Sequence, residues 1–292
     1  MNVGDPPRRW SAGLWGVAVP SDTPPPWQGT NAYLIGGQGV GWLVDPGGAG
    51  DAADAAIDAL LTAAGLRTLK GVLLTHTHHD HLAGVPGVLR RHGPVDVLLH
   101  RVGLRRLPER LAGRLPPGAR ARPLSPGRRL VAGPVVLEAI DTPGHASDHL
   151  AFWLPDDRTL VAGDLVAGRG SSWVGLPDGD VADYLDAVAR AAALDPVLVA
   201  PAHGPPRTDG RRVLDEARAH RLEREREVWA ALAAGPATLE ALRAAVYPGI
   251  DPRAHDLAER SLLAHLRKLM HEARVMHLGG DERGPFARAP GA

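Results

Sequence analysis

The stretch Thr75-His76-Thr77-His78-His79-Asp80-His81 puts four histidines and one aspartate within seven positions, in a chain that has only 14 histidines. Imidazole and carboxylate groups suit zinc, manganese or iron. His76 and His78 stand two apart just past an apolar run, so on extended backbone their side chains point to the same side. Asp80 and His81 follow at the predicted start of a helix. One such segment cannot complete the shells of two metals, so further ligands are expected from elsewhere. Three more runs supply candidates: "DTPGH" ends in His145, "LVAGD" in Asp164 and "APAHG" contains His203. Each follows an apolar stretch and sits in a turn bearing glycine or proline. His79 alternates away from His78 and is assigned to the surface or to a supporting position. The scattered histidines at 92, 100, 220, 255, 265, 271 and 277 carry no such pattern.

Strands are the natural way to bring these turns to one edge. "NAYLIGG" and "GVGWLVDPGG" predict a hairpin, and "DAADAAIDALLTAAG" has apolar residues at helical spacing with a glycine stop. "LKGVLLTH" is a buried strand that delivers the histidine stretch. "LAGVPGVLRRHG" predicts a short helix interrupted by Pro86, and "VDVLLH" another strand. Residues 101–130, rich in Arg, Pro and Gly, are expected to form a solvated loop with a short helix. "GPVVLEAIDTPGH" and "LAFWLPDDRTLVAGD" are further strands, followed by the amphipathic helix "DVADYLDAVARAAAL" and the strand "PVLVAPAHG". Strands and helices alternating in two successive blocks predict an α/β sandwich. From about residue 209 the pattern changes to three helices and a terminal strand pair. Two domains are expected, residues 1–208 and 209–292, the second winged-helix-like.

Composition narrows the function. Lys+Arg and Asp+Glu number 33 each, a balance that argues against a protein built mainly to hold nucleic acid. Cysteine is absent, which removes thiolate metal sites. "NVGDPPRRW" after Met1 shows no apolar run of signal-peptide length, and no stretch approaches ~18 apolar residues. The expectation is a cytoplasmic protein without a membrane span.

The order His-x-His-x-Asp-His, then Gly-His, Gly-Asp and His-Gly at strand ends, resembles the metallo-β-lactamase-fold hydrolases over residues 10 to 205 or so. The resemblance implies a four-layer αβ/βα sandwich with two metals at one edge of the sheets. It implies that His76, His78 and His145 hold one metal, that Asp80, His81 and His203 hold the other, and that Asp164 bridges. Asp45 in "VDPG" matches an aspartate that supports the ligands in that family; a simple turn residue is the alternative. "GTNAYLIG", "PGHASDH", "GRGSSWVGLPDGDVADYLDAV", "PAHGP" and "AERSLLAHLRKL" are together similar to the lactamase-β-like-2 type. That group carries a winged-helix-like tail and includes an animal mitochondrial endoribonuclease and fungal acyl-carrier thioesterases.

Such a site implies two zinc ions, with manganese or iron as alternatives. Two metals about 3.5 to 4 Å apart can bind one hydroxide between them, and Asp80 and Asp164 are the expected catalytic carboxylates. The expected substrate is a small acyl thioester or ester, or single-stranded RNA. Ser171 and Ser172 in "GSSW" are candidate substrate contacts, as is His149, which could instead brace the metal loop. The arginines at 101, 105, 106, 120, 122, 128 and 129 are candidate phosphate contacts for RNA. A diiron redox relative would carry glutamate at position 78. A glyoxalase-II-like thioesterase shares the motif but not this tail. A winged-helix nucleic-acid-binding protein with a vestigial metal site is the alternative from another class. The tail is expected to cover one side of the active-site mouth or to form a homodimer contact. Leu257, Ser261, Leu262, Ala264 and Leu266 are assigned to core packing.

Overall fold

Side-chain alternation along the strands gives each sheet two apolar faces, and each face has found a cover. The computed structural model describes residues 1–111 and 115–291. The first sheet has seven strands: β1 (Arg8–Ser11), β2 (Leu14–Pro20), β3 (Gly29–Gly37), β4 (Val40–Val44), β5 (Thr68–Leu73), β6 (Asp96–Leu99) and β7 (Ala121–Pro123), in that spatial order. β1 to β4 pair antiparallel, and β4 to β7 pair parallel. The second sheet runs β12-β11-β10-β9-β8, built from β8 (Arg129–Ala132), β9 (Val135–Asp141), β10 (Leu150–Leu154), β11 (Thr159–Gly163) and β12 (Leu198–Pro201).

Between the sheets lie Tyr33, Ile35, Val44 and Leu73 from the first, and Leu137, Phe152, Leu154 and Val161 from the second. The neighbouring positions Leu34, Leu43 and Val72 face the other way. They pack under α1 (Asp51–Ala63), α3 (Val85–His92) and α4 (Arg101–Leu111) through Ile57, Leu60, Val88 and Leu107. On the far side, Ala151, Trp153 and Leu160 pack under α5 (Val181–Ala193) and the start of α6 (Gly210–Ala231) through Tyr184, Val188, Val213 and Leu214. The four-layer αβ/βα sandwich is thus a direct product of two-residue alternation on both sheets.

The end of α6, α7 (Leu239–Val246) and α8 (His255–His271) close around Val228, Leu242, Val246, Leu262 and Leu269. The hairpin of β13 (Val275–His277) and β14 (Phe286–Arg288) adds Val275 and Phe286 to that cluster. This is the helical, winged-helix-like tail.

Three local expectations need correcting. Pro86 does not interrupt a helix; it occupies the first turn of α3, where its missing N–H breaks no hydrogen bond. In the stretch 101–130 the expected short helix covers residues 101–111, anchored by Leu107 and Leu111 in the core under the first sheet, but residues 121–123 pair as the edge strand of that sheet instead of forming a solvated loop. The remainder of that stretch includes residues 112–114, which lie outside the described residues. Leu257 is not core packing; it is 38 % exposed, whereas Leu262 and Leu266 are fully buried in the tail cluster.

Candidate metal centre

Four chain segments meet at one edge of the two sheets. β5 ends at Leu73, and the next residues carry His76 and His78 into the short helix α2 (His79–Leu82), which holds Asp80 and His81. The turn after β9 presents His145, the residue after β11 is Asp164, and the loop after β12 presents His203. Gly163 adopts a left-handed φ of 52°. A Cβ there would lie 2.6 Å from His149 Nε2 and 2.8 Å from Thr75 Cβ, so the tight turn into Asp164 needs glycine. Gly144 is similarly fixed, since a Cβ would meet the Tyr184 backbone at 2.3 Å.

The side chains converge in two groups. His76 Nε2 lies 2.9 Å and His145 Nε2 3.0 Å from His78 Nδ1. Asp80, His81 and His203 form the second group, with His203 Nε2 3.3 Å from Asp80 Oδ2. Asp164 lies between them: its Oδ2 is 3.4 Å from His145 Nε2, and its Oδ1 is 3.4 Å from His203 Nε2 and 3.6 Å from His81 Nε2. All seven residues expected from the sequence therefore come together.

Hydrogen bonds behind the rings fix which nitrogen faces inward. His145 Nδ1 donates to the Trp173 carbonyl at 2.7 Å, and His203 Nδ1 donates to the Gly29 carbonyl at 3.1 Å. His81 Nδ1 donates to Asp45 Oδ2 at 2.9 Å. A neutral imidazole that donates at Nδ1 carries a lone pair at Nε2. Those lone pairs face carboxylate oxygens, and the buried His81 Nε2 and Asp164 Oδ1 have no hydrogen-bond partner. Lone pairs opposed to anions are repulsive unless a positive charge lies between them, either a proton taken up by the ring or a cation bound in the site. The donor set therefore fits a cation, and an outward N–H held by a carboxylate or carbonyl is the usual support of a ligating histidine.

Charge follows the same division. Burial, then the neighbouring imidazoles, pulls His76 well below the usual histidine range and His78 down to about 3. Burial also opposes the charged forms in the second group. There the carboxylates of Asp80, Asp164 and Asp45 outweigh it and push His81 well up, and Asp164 chiefly pushes His203 up to about 10. Asp80 is held down at about 2 by His81 and His203, against burial.

Further groups hold this arrangement. Asp45, 2 % exposed, accepts hydrogen bonds from Thr75 N–H at 2.8 Å and Thr75 Oγ1 at 2.6 Å as well as from His81. His149 is buried; its Nε2 accepts the Asp164 N–H at 3.0 Å and its Nδ1 meets Thr142 Oγ1 at 2.8 Å. Asn31 and Tyr33 on β3 reach across to the Pro201 carbonyl, at 2.8 and 2.7 Å, and so tie the His203 loop to the first sheet. Two arginines of α4 have a role the sequence does not suggest: in sequence Arg106 is a candidate phosphate contact, and Arg110 is not singled out. Arg106 donates to Asp178 Oδ2 at 2.7 Å and to Ser147 Oγ at 2.9 Å, and Arg110 donates to the Thr77 carbonyl at 2.7 Å. They clamp the helix onto both histidine loops.

The centre opens into a cleft of about 970 Å³ whose floor includes His78, Asp80, His145, Asp164 and His203. Much of its wall is apolar: Met1, Val3, Pro24 to Pro26, Trp27, Val166, Trp173 and Leu257. Ser171 and Ser172 also line it, whereas His149 does not. Among the described residues, Arg169 is the only arginine or lysine on the wall. The arginines at 101, 105, 106, 120, 122, 128 and 129 lie elsewhere; Arg122 pairs with Asp96, and Arg129 with Glu138. Leu257 brings the tail to the cleft mouth, where its carbonyl accepts the Trp173 indole N–H at 3.0 Å. No described helix is long and apolar enough to cross a membrane.

Comparison with known proteins agrees with this geometry. The family model of the metallo-beta-lactamase superfamily matches residues 25–203, and that of the beta-lactamase associated winged helix domain matches residues 238–283. The lactamase-like protein adaB of Aspergillus niger is 30 % identical over 280 residues, 91 % of this chain and 83 % of that one. An atrochrysone carboxyl ACP thioesterase of Aspergillus fumigatus is 29 % identical over 177 residues, 61 % of this chain but only 38 % of the relative. The chain likewise spans 52 % of the lactamase-like protein vrtG of Penicillium aethiopicum, at 34 % identity. The crystal structure of a metallo-beta-lactamase family protein from Thermus thermophilus superposes with a TM-score of 0.76 at 29 % identity, covering 94 % of this chain and 98 % of that one.

Proposed function

The chain belongs to the metallo-β-lactamase superfamily, and from that premise we propose that it is a two-zinc hydrolase of acyl thioesters. His76, His78 and His145 would hold one ion, Asp80, His81 and His203 would hold the other, and Asp164, placed between the two groups, would contribute to both. Zinc is favoured by the nitrogen-rich donor set. When bound, the metals polarise the carbonyl oxygen and make a water acidic enough to attack near neutral pH.

The protein's own groups do the rest. Asp80 accepts a hydrogen bond from the attacking water and orients it. Asp45 and the carbonyls of Trp173 and Gly29 hold three ligating rings in place. His149 fixes the backbone of Asp164. Ser171 and Ser172 offer hydroxyls to the substrate, and the apolar wall takes the acyl chain and excludes water from it.

The observation that carries the choice of substrate is the cleft wall: largely apolar, with Arg169 alone among the described residues supplying a cationic side chain. A single-stranded RNA would bring several phosphates and needs a basic track. The name of the Aspergillus fumigatus relative points to the same chemistry. The exposed side of α8 mixes Asp256, Leu257, Arg260, Arg267 and His271, with Arg260 paired to Asp256, and is not a uniformly basic reading face for nucleic acid. Parallel assays of an acyl thioester and a short single-stranded RNA, each with and without chelator, test the proposal. Chelator-sensitive thioester turnover is expected. RNA cleavage without thioester turnover would overturn it.

A further inference from the structure

Beside the cleft lies a second, smaller cavity of about 210 Å³, and Ser171, Ser172, Trp173 and Leu257 line both. Its other walls come from the tail, and its charged residues are all basic: Arg221 and Arg224 on α6, with the imidazole of His220 beside them. Among the described residues, no carboxylate lines it.

Arg221 is the unusual group. It is 4 % exposed, yet no Asp or Glu lies within ion-pairing distance of it among the described residues. One N–H donates to the Ser172 carbonyl at 2.6 Å, and the guanidinium lies 5.1 Å from the Tyr184 ring. Its Nε–H has no acceptor among the described residues. Tyr184 cannot serve as an anion, because burial pushes its phenol further up. Burying a guanidinium without a counter-ion is costly, and a wall carbonyl plus a ring face do not neutralise it. Arg224, in contrast, pairs with Glu227 and stacks 4.3 Å from Tyr247, so its charge is partly answered. The cavity wall therefore holds a desolvated guanidinium without a counter-ion, its Nε–H sealed inside the wall, beside hydroxyls at Ser171 and Ser261 and no competing anion among the described residues. Guanidinium N–H and hydroxyl groups are the donors that recognise phosphate.

We propose that this cavity is a phosphate subsite, and that it takes the phosphate at the far end of a pantetheine-type thioester whose carbonyl lies in the adjoining cleft. The second clause rests on the thioesterase reading above. The shared strip Ser171–Trp173 would then lie along the arm that joins the two ends, with Arg221 holding the strip through Ser172.

The test compares an acyl-pantetheine with the same acyl-4′-phosphopantetheine, and measures phosphate-dependent protection against heat. The phosphorylated thioester is expected to have a kcat/KM higher by about tenfold, mostly through KM. Arg221→Gln, and separately Arg224→Gln in case the first fails to fold, should shrink that ratio towards one. Equal turnover of the two thioesters by the wild type, or a preference unchanged in both variants, overturns the substrate assignment. If neither thioester is hydrolysed, the thioesterase reading falls, and thermal unfolding of the metal-loaded protein with inorganic phosphate decides the subsite alone. A rise in Tm that is smaller in Arg221→Gln supports a phosphate site. Identical shifts in wild type and both variants overturn it, since phosphate at the metals would give that result. A variant-sensitive shift without any substrate preference assigns the cavity to free phosphate and removes the substrate clause.

Discussion

The two histidine groups at the sheet edge are built on opposite principles. His76, His78 and His145 converge through nitrogen alone, with His76 and His145 each within 3.0 Å of His78, and His76 and His78 are kept neutral by burial and by each other. His81 and His203 face Asp80 and Asp164, which pull positive charge in. The first group is preorganised by packing, the second by charge. Geometry alone holds three lone pairs at one point, so the first group tolerates little movement. The second is held by mutual attraction and depends on its carboxylates staying ionised.

Asp164 is the one residue shared by both groups, so its loss should do most damage. Asp164→Ala is expected to lower kcat by more than the ~100-fold typical of supporting residues and to reduce bound metal from two ions per chain to one or none, read by elemental analysis. Normal turnover with two metals retained would break the idea that the groups meet through this carboxylate. Asp45→Asn acts directly on the charged group, through His81, and reaches His76 only at second hand through Thr75 Oγ1. Metal affinity or activity should fall by about 10- to 100-fold, with one ion lost before the other on titration with chelator. Equal weakening of both ions would dissolve the contrast.

Acidity sharpens it further in protein stripped of metal. His76, His78 and His149, the last two held down at about 3, stay neutral in the fold. The unfolded chain takes up their protons below ~6.5. Stability should therefore fall as pH drops from there towards 3. His203, pushed up to about 10, contributes stability that is fully present below ~6.5 and lost as pH climbs towards 10. Denaturation midpoints across pH should thus peak near neutrality. A flat alkaline limb would mean that the carboxylates do not hold His203 charged. The smallest effect is expected from Trp173→Phe. It deletes the indole bond to Leu257 and leaves the carbonyl that serves His145, so about 1 kcal/mol of stability should go with kcat little changed.

The ligand-bearing turns were legible in the sequence because each joins an apolar run to a Gly or Pro turn. Strand period and turn chemistry are both local signals. The four-layer sandwich followed from the same alternation, and the tail from its three helices and hairpin. A short helix was expected in this stretch, but what α4 holds was not legible, since Arg106 and Arg110 direct their charge to Asp178 and to the Thr77 carbonyl, partners far away in sequence. Arg221 was hidden for a related reason: it sits in "RLEREREVWA", where nothing separates the one buried arginine from its solvated neighbours. Leu257 looked like core because it is apolar and stands four and seven residues before Ser261 and Ala264; only the approach of Trp173 to the start of α8 turns it towards the cleft.

Trp173 grips two things at once, the imidazole of His145 through its carbonyl and the first turn of α8 through its indole. It acts as a linkage rod between the tail and a ring at the reaction centre. Grafting a relative's tail onto this chain would therefore change more than the shape of the cleft mouth. A graft whose first turn of α8 sat a little out of place would drag the rod and swing the His145 ring with it, so chimeras should be judged by the metal they hold before the substrates they accept.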